Sequence, residues 1–127
     1  MNILGIGMDI VETKRIADSL ERFGDRFLQR VFLEGEVAYA RSMKFPHLHL
    51  AARFAAKEAI SKAFGTGIGR ELGWRDLEIV RASHGAPSVR LHGRAETYAK
   101  SRGVTQVLVS LSHTADYGAA SAVVIVG

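Results

Sequence analysis

Glu58 and Lys62 stand one helical turn apart in the stretch ARFAAKEAISKAFGTG, residues 52–67, where alanines and large apolar side chains recur every three or four positions until glycine intervenes. A carboxylate and an amine at this spacing share a helix face, and as an isolated pair they contribute only about 0.2 to 0.5 kcal/mol. Chemistry at that face requires a third group. Asp9 offers one, because it interrupts the apolar run ILGIGMDIV, residues 3–11. A carboxylate in such a strand must be paired, bound to a metal, or set at the exposed strand end where backbone N–H groups reach it. The chain has no cysteine, which excludes disulfides, thiolate nucleophiles and thiolate zinc sites, so any metal sits on oxygen or imidazole.

Arg53 and Lys57, also four apart, fall on an adjacent face of the same helix, where charged residues ordinarily form a solvated stripe. The alanines around them let another backbone come close and mark the helix as central. The GTGIG that follows fits neither the dinucleotide-binding nor the Walker phosphate-loop pattern, since its glycines close a helix instead of opening one. It is either a cap with a flexible turn or a bare backbone that approaches a phosphate. His113 is a lone imidazole after the strand-like LVSLS, and only His47 and His49 stand at ligand-like spacing, with nothing that obliges them to converge. No Ser/His/Asp arrangement emerges from spacing. Residue chemistry thus supports a limited statement: two carboxylates, several cations and a glycine loop together suit Mg²⁺ and a phosphorylated ligand.

The elements that must position these groups are legible in outline. Residues 3–11 read as a buried strand. Thr13 caps a helix to about Phe23, with Ile16, Leu20 and Phe23 on one face and Gly24 as its stop. Asp25 caps a short helix through Phe32, and Gly35 to Met43 form another. Pro46 breaks the chain before the long helix His47–Phe64, which ends at Gly65. Residues 77–82 and 88–92 flank a turn as a strand pair, residues 94–102 form a short helix, and residues 106–112 and 118–126 flank HTADY as a final hairpin. Helices early and strands late predict an α+β fold with an antiparallel sheet.

At 127 residues the chain fits one domain spanning residues 1–127, and a chain of that size buries about two thirds of its unfolded surface. No apolar run approaches the roughly 18 residues of a membrane span, and MNILGIGMDIVE lacks a basic leader region, so a cytoplasmic location is expected. Seventeen Lys and Arg against thirteen Asp and Glu leave a charge of +4, which favours anionic partners without choosing among them. There is no repeat at a fixed period.

Three stretches, GIGMDIVE, RFAAKEAISKAFGTGIG and VSLSHTADYGAASAVV, in this order and spacing, resemble the holo-[acyl-carrier-protein] synthases of the 4'-phosphopantetheinyl transferase family. The resemblance runs over essentially the whole chain. It implies transfer of phosphopantetheine from coenzyme A to a serine of apo-acyl carrier protein, with release of adenosine 3',5'-bisphosphate, in fatty acid biosynthesis. It makes Asp9 and Glu58 the ligands of Mg²⁺, and Lys62 a cation on the pyrophosphate. The attacking serine belongs to the carrier, so the enzyme supplies a base, either Glu58 or a metal-bound water that it positions. Arg53 and His113 become candidates for the nucleotide end of coenzyme A, with Gly65, Thr66 and Gly67 as a loop alongside. Arg15, Arg22 and Arg26 become the docking surface for the acidic carrier protein.

Members of this length are generally homotrimers with coenzyme A between subunits, which makes the Ala-rich helix and the final hairpin expected interface elements. One departure is Ala86 in HGAPS, where the family often has lysine in a Gly-Lys-Pro turn. The rival reading is a non-catalytic basic oligomeric module that binds coenzyme A, RNA or an acidic protein. RNA recognition needs cations interleaved with exposed aromatics, whereas Phe23, Phe27, Phe54 and Phe64 fall at core-like positions and Trp74 stands alone, so neither nucleic acid nor membrane is the expected partner.

Overall fold

A computed structural model describes residues 1–82 and 84–127. Strand β1, Asn2–Glu12, leads into three helices, α1 (Thr13–Phe23), α2 (Asp25–Val31) and α3 (Glu34–Arg41). The long helix α4, Pro46–Phe64, follows. After a 3-10 turn at Trp74–Asp76 come β2 (Leu77–Arg81), β3 (Pro87–Leu91), helix α5 (Gly93–Ser101), β4 (Val104–His113) and β5 (Tyr117–Val126). β1, β5 and β4 form an antiparallel three-stranded sheet with β5 in the centre, while β2 and β3 pair as a separate hairpin. The α+β expectation holds, and the single antiparallel sheet of the sequence reading is two sheets. No helix among the described residues is long and apolar enough to cross a membrane.

The position of α4 is set by what the sheet lacks. Gly5, Gly7 and Asp9 alternate on the face of β1 that meets α4, and Gly118 does the same on β5. A Cβ at Gly7 would come within 2.8 Å of the Ala63 backbone nitrogen, and one at Gly118 within 2.7 Å of the Ala51 carbonyl carbon. Backbone meets backbone at these points, so glycine is required for steric reasons and not for its conformational freedom. From the helix side, Ala51, Ala55, Ala56 and Ala59 are completely buried against the sheet. These alanines are therefore spent within the subunit. The other sheet face is open: Ile6, Met8 and Ile10 of β1 are 73%, 72% and 65% exposed. They continue across the sheet through Val123, Ser121 and Ala119 of β5 to Leu108, Ser110 and Ser112 of β4.

Element ends differ from the sequence reading in instructive ways. Thr13 is not a cap: its hydroxyl donates to Ala115 O at 2.7 Å, tying α1 to the β4–β5 turn. That turn shortens to Thr114–Asp116 because pairing continues to His113 and Tyr117. Gly65 takes the left-handed conformation at φ 82°, its N–H reaches Lys62 O at 2.9 Å, and the N–H groups of Thr66 and Gly67 both reach Ser61 O at 3.2 Å, which closes the end of α4. Phe23 is 49% exposed, contrary to its core-like spacing, and Trp74 stacks on Phe54 with ring centroids 4.9 Å apart.

Candidate active site

Because α4 lies directly on β1, Asp9 from the strand and Glu58 and Lys62 from the helix share one place. The Lys62 ammonium donates to Asp9 Oδ1 at 3.1 Å and to Met8 O at 3.0 Å. The sequence suggested a Glu58–Lys62 pair, but the bond Lys62 makes is to Asp9, across from helix to strand. Glu58 is half-buried, and burial pushes its carboxyl above the usual range. The negative charge of Asp9 pushes the same way, while Lys62 and then Arg15 oppose it. Burial and the charge of Asp9 together outweigh Lys62 and Arg15 at the Glu58 carboxyl. Glu58 opens into a cleft of about 700 Å³ whose other walls include Arg30, Trp74, Arg75 and Arg94, with Ile68 and Gly69 from the glycine loop. Gly65, Thr66 and Gly67 lie before that segment, at the helix end.

Arg53 and His113 belong to a second group. Arg53 is 4% exposed, its guanidinium lies 4.3 Å from the centre of the Tyr39 ring, and its Nε meets no acceptor among the described residues. Arg81 approaches the same ring at 5.2 Å. His113, at the end of β4, meets His49 edge-to-face at 4.7 Å. Burial, then the positive charges of His113, Arg53 and Arg81, hold the His49 imidazole below its usual value. An orphaned buried donor on Arg53, with Arg81 and two imidazoles around it, suits an anion. Sequence reasoning missed His49, Arg81 and Tyr39 here. His49 and Arg53 are one turn apart on α4, a spacing available in advance, but nothing in the sequence joins Arg81 and Tyr39 to them. Arg81 pairs with Pro87 in the β2–β3 register, so it brings a cation to the hairpin end where Ala86 carries none. His47 turns instead toward Phe45, at 6.5 Å, and the two α4 histidines do not converge.

The solvated stripe expected for Arg53 and Lys57 does not exist, since both are buried. Lys57 is matched inside the protein by Glu36 at 2.8 Å, which the sequence alone gave no reason to pair with it. Of the three arginines predicted to dock a carrier, Arg15 is close enough to act on Glu58. Arg22 lies over the exposed Phe23 ring at 5.2 Å, and Arg26 flanks a small notch with Phe23, Phe27 and Arg30. All three are exposed on α1 and α2.

The family model of the 4'-phosphopantetheinyl transferase superfamily matches residues 5–122. The chain belongs to that superfamily. The holo-[acyl-carrier-protein] synthase of Koribacter versatilis is 46% identical over 121 residues, covering 95% of this chain and 97% of its own. The crystal structure of the Neisseria meningitidis holo-[acyl-carrier-protein] synthase superposes with a TM-score of 0.91 at 34% identity, covering 98% of this chain and 99% of the other. That of Helicobacter pylori, in complex with coenzyme A, gives a TM-score of 0.85 at 32% identity, covering 94% and 99%.

The superfamily member described here has a donor set that suits a hard divalent cation. A cation held by Asp9 and Glu58 would offset both the burial and the Asp9 charge that raise the Glu58 carboxyl. No cluster of three or more His, Asp or Glu suited to a metal occurs among the described residues. Two carboxylates leave most coordination positions to water and phosphate oxygens, the arrangement Mg²⁺ favours over an all-protein cage.

Proposed function

We propose that this chain transfers 4'-phosphopantetheine from coenzyme A to a serine hydroxyl of an apo-acyl carrier protein, leaving adenosine 3',5'-bisphosphate. The observation that carries the reading is the convergence of Asp9, Glu58 and Lys62 where α4 meets the glycine floor of β1, in a chain whose nearly full-length relatives are holo-[acyl-carrier-protein] synthases. Asp9 and Glu58 would hold Mg²⁺, which when bound neutralises charge on the pyrophosphate. Glu58 is the group placed to accept the proton of the attacking serine. The serine oxygen bonds to the phosphorus that carries pantetheine, the anhydride P–O bond breaks, and the electron pair leaves on the bisphosphate. Lys62, half exposed beside Asp9, supplies positive charge to that leaving group. Arg53, His49, Arg81 and His113 suit the 3'-phosphate end of the nucleotide, with the loop at Gly65, Thr66 and Gly67 alongside. Arg15, Arg22 and Arg26 meet the acidic carrier, and the first of them links docking to the site through Glu58.

The active form in this reading is a homotrimer. In this reading the ligand lies between two subunits, and the open apolar face of the β1–β5–β4 sheet supplies the contact. On the same reading the chain acts in fatty acid biosynthesis in the cytoplasm.

Incubation with coenzyme A, Mg²⁺ and apo-acyl carrier protein, followed by the intact mass of the carrier, tests the reading. A gain of one phosphopantetheine that is lost with Glu58→Gln or with a chelator is expected. A gain that survives Glu58→Gln overturns the site assignment, and coenzyme A retention without any gain favours the non-catalytic module.

A further inference from the structure

Lys57 and Glu36 form an ion pair in which both side chains are 0% exposed, outside the set of groups assigned to the transfer. The Lys57 ammonium has three hydrogens and three acceptors: Glu36 Oε1 at 2.8 Å, Val31 O at 2.9 Å and Trp74 O at 3.0 Å. Glu36 Oε1 also accepts from Leu33 N at 2.8 Å, and its Oε2 accepts from Ile79 N at 2.9 Å. One pair therefore ties together the end of α2, the start of α3, the middle of α4, the 3-10 turn and β2. Buried ion pairs are poor evidence for stability, because a hydrophobic pair of similar volume often serves as well. What a hydrophobic pair lacks is the ability to fix the direction of two carbonyls and two N–H groups at once.

The segments so fixed are the walls of the Glu58 cleft. Glu58 follows Lys57 in α4, Arg30 precedes Val31, and Trp74 is itself a partner with Arg75 next to it. We propose that Lys57 and Glu36 are positioning residues that hold the Glu58 carboxylate and the Arg30–Trp74–Arg75 wall at the separation the substrate requires. This rests on the reading of that cleft as the transfer site. Neither residue touches substrate; the pair acts through the peptide units on either side of the cleft.

The test is the double variant Lys57→Met, Glu36→Gln in the full chain. It removes both charges at similar volume and keeps an amide oxygen for one of the N–H groups, while Val31 O and Trp74 O lose their shared donor. Circular dichroism and thermal unfolding report the fold, and Trp74, the one tryptophan of the chain, reports the cleft wall through its emission and iodide quenching. The expected result is a cooperatively folded protein with altered Trp74 quenching, kcat reduced by about tenfold or more and KM for coenzyme A nearly unchanged, as a misplaced catalytic group gives. Glu36→Gln alone, which keeps the Lys57 bonds to Val31 and Trp74 but removes its counter-charge, is expected to lower the thermal midpoint and to lose less of kcat than the double variant. A folded double variant with parental kcat and parental quenching overturns the proposal. So does failure of both variants to fold, which assigns the pair to stability alone. A parental chain that transfers nothing to any carrier points instead to failure of the functional reading.

Discussion

Gly7→Ala probes the idea that a missing side chain builds this site. The added Cβ would lie 2.8 Å from the Ala63 nitrogen and 2.9 Å from the Ala59 carbonyl carbon, and closer still to the Ala59 oxygen. Ordinary contacts begin near 3.4 Å. The obstructing atoms are the backbone of a 19-residue helix, so no rotamer change relieves the overlap. α4 must recede from β1 by at least about 0.6 Å, and further at the Ala59 oxygen, at a cost of about 1–3 kcal/mol for overpacking. Glu58 and Lys62 travel with α4, whereas Asp9 stays with β1. The 3.1 Å bond from Lys62 to Asp9 then passes the roughly 3.5 Å limit of a hydrogen bond. Mg²⁺, which demands near-ideal geometry, would tolerate still less displacement of Glu58 from Asp9. Thermal unfolding should drop by several degrees, Mg²⁺ binding measured by calorimetry should weaken, and transfer should fall by up to about 10²-fold, the scale of a 1 Å misplacement. Gly35→Ala serves as the control, because the nearest atom to its new Cβ is the Glu78 carboxylate at 3.9 Å. It should preserve both stability and rate. A Gly7→Ala protein that transfers at the parental rate with unchanged Mg²⁺ dependence would refute the claim that this close approach sets the Asp9–Glu58 spacing.

Glu58→Gln should abolish transfer and yet raise the thermal midpoint of the metal-free protein at neutral pH. A carboxyl raised in the folded state destabilises the fold at pH values above its ordinary one, so the gain should fade as pH falls toward 4.5; no gain at pH 7 would contradict the buried repulsion. His49 carries the opposite sign: an imidazole depressed in the folded state gives stability that is lost as pH falls below 6.5. Melting curves from pH 7.5 to 5.5 should show that loss, His49→Phe should reduce it, and adenosine 3',5'-bisphosphate should offset it by supplying negative charge; an identical slope for His49→Phe would remove His49 from the cluster. Met8→Asp, on a side chain 72% exposed, should leave a folded monomer by sedimentation with little transfer, whereas an unchanged oligomer would move the interface elsewhere. Mixing the inactive variants Arg53→Ala and Glu58→Gln after reversible dissociation should restore part of the activity if two subunits share each site.

Hydrophobic period, glycine stops and proline placement determined most elements of this chain by themselves, since those signals act within a few residues. α4 illustrates it: Pro46 sets its first turn and Gly65, left-handed, its end, both visible in the sequence. The special status of Asp9 was also legible, because a carboxylate between aliphatic residues demands a partner wherever the strand lies. The identity of that partner was not. Lys62 sits one turn from Glu58 and reads as its mate, yet it bonds Asp9, 53 positions away in sequence. Lys57 reads as surface and lies fully buried, because its matching charge is 21 positions away on α3. Local sequence specifies which way a backbone turns; which charge neutralises which depends on how closely elements approach. Here tertiary packing decided that distance, through side chains that Gly5, Gly7 and Gly118 do not have.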